Sequence, residues 1–144
     1  MIVIHYGASE YNPELFQPIV NSGWIKPVGG LWTSPINSKF GWKSWCTSER
    51  FRVCDNSISF KLKINKESKI YKINSLDDLL NLPLISAMYG HSMVINFEEL
   101  AKEYDSIWLT VNGQNKTRMT YPTSLYGWDC ETVLIMNKNS FIII

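Results

Sequence analysis

The sequence predicts an α+β fold of several short strands and two or three short helices. Three observations carry this. Residues 57–64 alternate, with Ile58, Phe60, Leu62 and Ile64 on one side and Ser59, Lys61 and Lys63 on the other, the period-two pattern of a half-buried antiparallel strand. Ser75-Leu76-Asp77-Asp78 and Asn96-Phe97-Glu98-Glu99 each set a capping side chain three residues ahead of a carboxylate and lead into apolar segments, which marks two helix starts. Residues 132–136 and 141–144 are apolar runs too short for helices and suited to strands.

The remaining elements follow in chain order. Residues 2–6, Ile-Val-Ile-His-Tyr, are β-branched and aromatic and end at Gly7, a strand running into a turn. Pro13 can open a short helix through Leu15, Phe16, Ile19 and Val20, with Pro18 disturbing it. Gly29-Gly30 signals a turn, and 31–34 is a short strand stopped by Pro35. A helix is expected over 38–51, weakened by Gly41. Residues 69–73 and 107–111 read as strands. The polar stretch 112–124 reads as a long exposed loop, and the last four residues as a buried terminal strand. No repeat, low-complexity tract or linker interrupts the chain, so residues 1–144 read as one domain.

Composition narrows the function classes. Fourteen Lys and Arg against thirteen Asp and Glu leave a net charge of +1, without the basic excess of a typical nucleic-acid binder. A hydrophobic content of 45% excludes wholesale disorder. Cys46, Cys54 and Cys130 show no disulfide-framework spacing, and with two histidines no metal site is expected. The N-terminus lacks a basic and apolar leader, and no apolar run approaches the roughly 20 residues of a membrane span. A cytoplasmic setting without membrane partners is the expectation. The aromatic content is high, with six Trp, seven Tyr and six Phe. Trp24, Trp32, Trp42 and Trp45 cluster in one stretch, and Trp128 stands three residues before Glu131. Such side chains wall ligand clefts as well as cores.

Three places hold more polar chemistry than a core needs: His5-Tyr6-Gly7; Leu31-Trp32-Thr33-Ser34-Pro35 with the following Phe40-Gly41-Trp42-Lys43-Ser44-Trp45; and Tyr126-Gly127-Trp128-Asp129-Cys130-Glu131. With a strand starting near residue 128, Asp129 and Glu131 fall on one face. Two carboxylates beside an apolar run are costly unless something uses them.

The order of these segments resembles the ADP-ribosyltransferase fold, in the manner of a small bacterial or phage-type family with mixed His-Tyr-Glu and Arg-Ser-Glu features. The resemblance spans most of the chain and implies a split antiparallel β-sheet around an NAD cleft, with short flanking helices. It implies NAD as substrate, with no metal, and an acceptor that is a protein or, as an alternative, a nucleic acid. By resemblance His5 contacts the adenosine-side ribose and Gly7 the nicotinamide amide. Glu131 contacts the nicotinamide-ribose 2′-hydroxyl and steadies the transition state. Ser34, at the last position of a Ser-Thr-Ser-like strand, orients Glu131, and Asp129 lies on the acceptor side. Tyr6, Trp32, Thr33, Phe40 and Trp42 are candidates for the cofactor-binding wall. Trp32 stands where one branch has Tyr, and His5 where the other has Arg.

The chemistry suits these residue types. Nicotinamide departs as a neutral molecule from a cationic precursor, and a fixed carboxylate in a water-poor cleft stabilises the positive charge left on the ribose. Alternatives stand beside this reading. His5 can be a hydrogen-bonded core residue, Trp42 and Trp45 helix packing, and Glu131 a structural partner of Lys43 or Arg118. A non-catalytic binding module of the same fold is the first rival. A hydrolase pairing Cys46 or Cys130 with His5 or His91 is the second. Glycoside hydrolysis by Asp129 and Glu131 ranks below both, since one strand face does not flank a scissile bond.

Overall fold

The computed structural model describes residues 1–144. Seven strands form one sheet, in the spatial order 70–73, 106–109, 132–135, 31–35, 2–6, 59–64 and 141–143. They are β1 (Ile2–Tyr6), β2 (Leu31–Pro35), β3 (Ser59–Ile64), β4 (Ile70–Ile73), β7 (Ser106–Leu109), β8 (Thr132–Ile135) and β9 (Phe141–Ile143). Every pairing is antiparallel except β4 with β7 at one edge. A separate hairpin joins β5 (Leu84–Ser86) to β6 (Met93–Ile95). Four short helices complete the fold: α1 (Trp42–Ser48), α2 (Leu76–Leu80), α3 (Phe97–Leu100) and α4 (Val111–Lys116). No helix is long and apolar enough to cross a membrane.

The alternation over 59–64 does what its period demands. Phe60, Leu62 and Ile64 are buried, and Lys61 and Lys63 face outward. Ser75 caps α2, its hydroxyl accepting from the Asp78 N–H, while the Asp78 carboxylate accepts from Ser75 and from the Asn74 N–H. Asn96 caps α3 through the Glu99 N–H, and Asn21 supplies a second cap to Phe97 and Glu98. Two apolar clusters flank the sheet. The larger holds Ile73, Leu79, Phe97, Ile107, Leu109, Trp128 and Leu134, and the smaller holds Val3, Phe60, Leu62, Val133, Ile135 and Phe141.

Several elements depart from the sequence pattern. The turn at Pro13–Leu15 is a single 3-10 turn. The helix expected over 38–51 is confined to α1, with Gly41 at its N-cap. Residues 112–124 are not an exposed loop: Thr110 caps α4, and Gln114, Thr117 and Thr123 are buried. Gly113 permits this, because a Cβ there would lie 2.1 Å from the Ile73 carbonyl oxygen. The terminal strand is an edge strand, with Ile142 55% and Ile143 46% exposed. β8 starts at Thr132, so residues 128–131 approach it as irregular chain and do not share a strand face.

One junction matters for the site. β1 pairs with β3 along its whole length, but with β2 only through Val3↔Pro35 and Ile4↔Ser34. Beyond that the two strands part, and the His5 ring bonds across to the Trp32 carbonyl at 2.8 Å.

Candidate functional site

Where β1 and β2 part, a hollow of about 330 Å3 opens. His5 and Tyr6 reach it from β1, and Trp32, Thr33 and Ser34 from β2. Trp42 comes from α1, and Trp128, Asp129 and Cys130 from the approach to β8. Lys26 and Arg52 stand among the same lining residues.

The local contacts hold these groups in place. A carbonyl only accepts, so His5 donates from Nδ1 to Trp32 and a neutral ring keeps Nε2 as an acceptor. Trp32 packs edge-on against the fully buried Trp128 at 4.9 Å between centroids, and the Trp128 indole donates to the Ile25 carbonyl. Trp42 stacks on Trp45 at 5.1 Å. The Arg52 guanidinium lies 5.5 Å over the Trp42 ring and donates to the Tyr6 carbonyl. Lys26 pairs with Asp129 at 3.4 Å and lies 5.9 Å from the Trp32 ring. Aromatic faces and a mixed pair of cations with one carboxylate thus converge on one opening. Such a site suits a planar, polar ligand that carries both charge signs or several hydroxyls.

Comparison with protein-family models, curated proteins and solved structures finds no match.

Most of the residues singled out in the sequence meet at this hollow: His5, Tyr6, Trp32, Thr33, Ser34, Trp42 and Asp129. Gly7 adjoins it at φ +125°, and a Cβ there would lie 3.7 Å from His5 Nε2. Two do not meet it. Phe40 contributes its carbonyl to the Glu131 N–H. Glu131 itself is buried, and its carboxylate accepts from the Trp108 indole at 3.0 Å and from the Ser38 hydroxyl. Trp108 packs against the smaller apolar cluster, whereas Trp32 and Trp128 belong with the larger. The expected orienting bond is also different. Ser34 accepts from the Trp42 N–H and donates to the Glu131 backbone carbonyl, so Ser38, not Ser34, holds the carboxylate. The structural partners considered for Glu131 are engaged elsewhere: Lys43 donates to Asn56, and Arg118 lies over Tyr126.

Lys26, Arg52, Ser38 and Trp108 carry no signal in the sequence. Trp108 meets Glu131 only because β7 pairs with β8, and Lys26 meets Asp129 across more than a hundred residues of chain. The cysteine rival loses ground on chemistry. Burial pushes the Cys130 thiol up to about 11, and the buried Cys46 thiol is likewise pushed up to about 11, so both are protonated near neutrality. A nucleophilic cysteine needs the opposite shift.

Proposed function

We propose that this chain transfers ADP-ribose from NAD to a macromolecular acceptor, releasing nicotinamide, at the hollow between β1 and β2. The observation that carries the reading is the adjacency of three segments distant in sequence. β1 with His5, β2 with Trp32-Thr33-Ser34, and β8 with its carboxylate-bearing approach lie side by side, and the first two part around an aromatic-walled space.

The residues suit such a substrate. A hollow of about 330 Å3 lies at the small end of the roughly 300–1,000 Å3 of ligand sites, enough for the nicotinamide-ribose half. Trp32 or Trp42 would face the nicotinamide ring, and Lys26 and Arg52 would meet the pyrophosphate oxygens. His5 Nε2 would accept from a ribose hydroxyl. In the transfer, the bond from ribose C1′ to the nicotinamide nitrogen breaks and its electron pair leaves with nicotinamide. A bond from C1′ to the acceptor forms, and the acceptor loses a proton. Asp129, the carboxylate that lines the hollow, would stabilise positive charge on the ribose. Glu131 then acts as a positioning residue, holding the approach to β8 through Trp108 and Ser38. The near-zero net charge favours a protein over a nucleic acid as acceptor.

The turned-away carboxylate of Glu131 favours a second reading, in which the same hollow binds a ligand without transfer. One experiment separates them. Titration with NAD should quench tryptophan fluorescence, and incubation with labelled NAD and cell lysate should release nicotinamide and label a protein. Asp129→Asn should abolish release. Binding without release by the wild type selects the non-catalytic reading. Absence of binding overturns both.

A further inference from the structure

We propose that the outer face of the β1–β3–β9 half of the sheet is a docking surface for an extended acidic segment of a partner protein. The inference stands apart from any chemistry in the hollow. Cross-strand register places side chains on this face in two rows. Ile2 opposes Lys63, which opposes Ile142, and Ile4 opposes Lys61, whose carbonyl accepts from the Ile144 N–H. The opposite face of the same strands carries Val3, Phe60, Leu62, Ile64 and Phe141 and is buried. Ile4 is buried, but the rest of this face is uncovered: Ile2 is 38% exposed, Ile142 55% and Ile144 56%, and both lysines are exposed.

The lysines at the centre of these rows define the partner. The ion pairs of the molecule are Lys26–Asp129 and Lys102–Glu99, so neither Lys61 nor Lys63 is neutralised by a carboxylate. Lys43, which lines the same region, bonds only to the Asn56 amide. Two unneutralised ammonium groups flanked by isoleucines complement a chain whose carboxylates alternate with apolar side chains.

The sheet edge favours an extended chain as occupant. β9 pairs with β3 only from Leu62 to Ile64, with one further bond at Lys61. Toward Ser59 and Phe60, β3 has no neighbour on that side, and an open groove of about 730 Å3 lies there, lined by Tyr11, Ile36, Lys43 and Lys61 and by one carboxylate, Glu10. An unpaired strand edge beside alternating side-chain sites is how extended peptides are held. A second copy fits less well, because a two-fold contact sets this patch against itself and opposes lysine to lysine. An anionic lipid surface matches the charge but uses neither the free edge nor the groove.

The test uses two synthetic probes on the full chain: an eight-residue peptide alternating Val and Glu, and its Val–Lys counterpart. The Val–Glu peptide should bind by fluorescence anisotropy and weaken as salt rises. Lys61→Glu with Lys63→Glu should weaken it about tenfold, the scale of two exposed ion pairs reversed to repulsion, and should gain affinity for the Val–Lys peptide. Ile142→Asp tests the apolar rows and should weaken the Val–Glu peptide too. Circular dichroism confirms that each variant folds. The proposal is overturned by unchanged affinity in the double variant or no peptide binding in the wild type. It is overturned equally by binding to phosphatidylserine vesicles in place of peptide, or by a dimer in sedimentation that the double variant abolishes.

Discussion

The two halves of the sheet are built to different rules. At the centre of the β4-β7-β8-β2 half, side chains on both faces of β7 and β8 are covered: Ile107 and Leu134 sit in the larger cluster and Val133 and Ile135 in the smaller, all fully buried. In β1-β3-β9 one face is packed, and on the other Ile2, Ile142, Lys61 and Lys63 stand open beside a buried Ile4. The difference shows in the sequence. β8 reads Thr-Val-Leu-Ile without alternation, whereas β3 reads Ser-Phe-Lys-Leu-Lys-Ile with strict alternation. Buried polar side chains in the covered half are paired inside the protein, except the Ser106 hydroxyl, which meets no partner. Polar groups in the open half are met by water.

Substitutions can break this contrast. The largest effect is expected in the covered half, where Leu134→Ala should cost about 2–5 kcal/mol by lost burial and a residual cavity, read by denaturant unfolding. Trp108→Phe comes next. It leaves one Glu131 oxygen without its indole donor in a buried setting and should cost about 1–3 kcal/mol. If Trp108→Phe is neutral, water already satisfies Glu131, and the covered half is wetter than drawn. Ser75→Ala removes the α2 cap and should cost about 1 kcal/mol. Ile142→Ala on the open face should change stability by less than about 0.5 kcal/mol. A loss there comparable to Leu134→Ala would show that the open face is covered after all.

Alkaline titration sharpens the same contrast. Burial pushes the Cys130 thiol up to about 11 from 9.0, so the unfolded chain releases this proton first. Its contribution is fully present below pH 9 and is lost as pH rises through about 11. Unfolding curves across that window should show declining stability, and Cys130→Ala should flatten the decline.

Legibility in the sequence followed the same division. β3 is readable because its lysines alternate with Phe60, Leu62 and Ile64, and α2 because Ser75 and Asp78 carry their own capping chemistry. α4 is not, since Val-Asn-Gly-Gln-Asn-Lys has little apolar periodicity and its glycine is required by the Ile73 backbone, distant in sequence. The β5–β6 hairpin is not legible, because three-residue strands are too short to show a period. At the site, His5, Trp32 and Ser34 were legible from their positions on strands. The pairing of Asp129 and Glu131 was misplaced because it depended on β8 beginning near residue 128. Starting it at Thr132 leaves one carboxylate at the opening and turns the other toward Trp108.

The short contact between β1 and β2 has a mechanical meaning. Strand-to-strand contact here is the shortest in the large sheet, two residue pairs with the Ile36 N–H to Ile2 carbonyl bond and one imidazole, and the apolar cluster shared by Val3, Phe60, Val133 and Ile135 carries the rest of the load. Tyr6 on one lip and Trp32 on the other face the same gap. Anything seated there acts as a rivet: it grips both lips and raises the tear strength of the whole sheet, and amides along β1 and β2 would exchange more slowly while it stays in place.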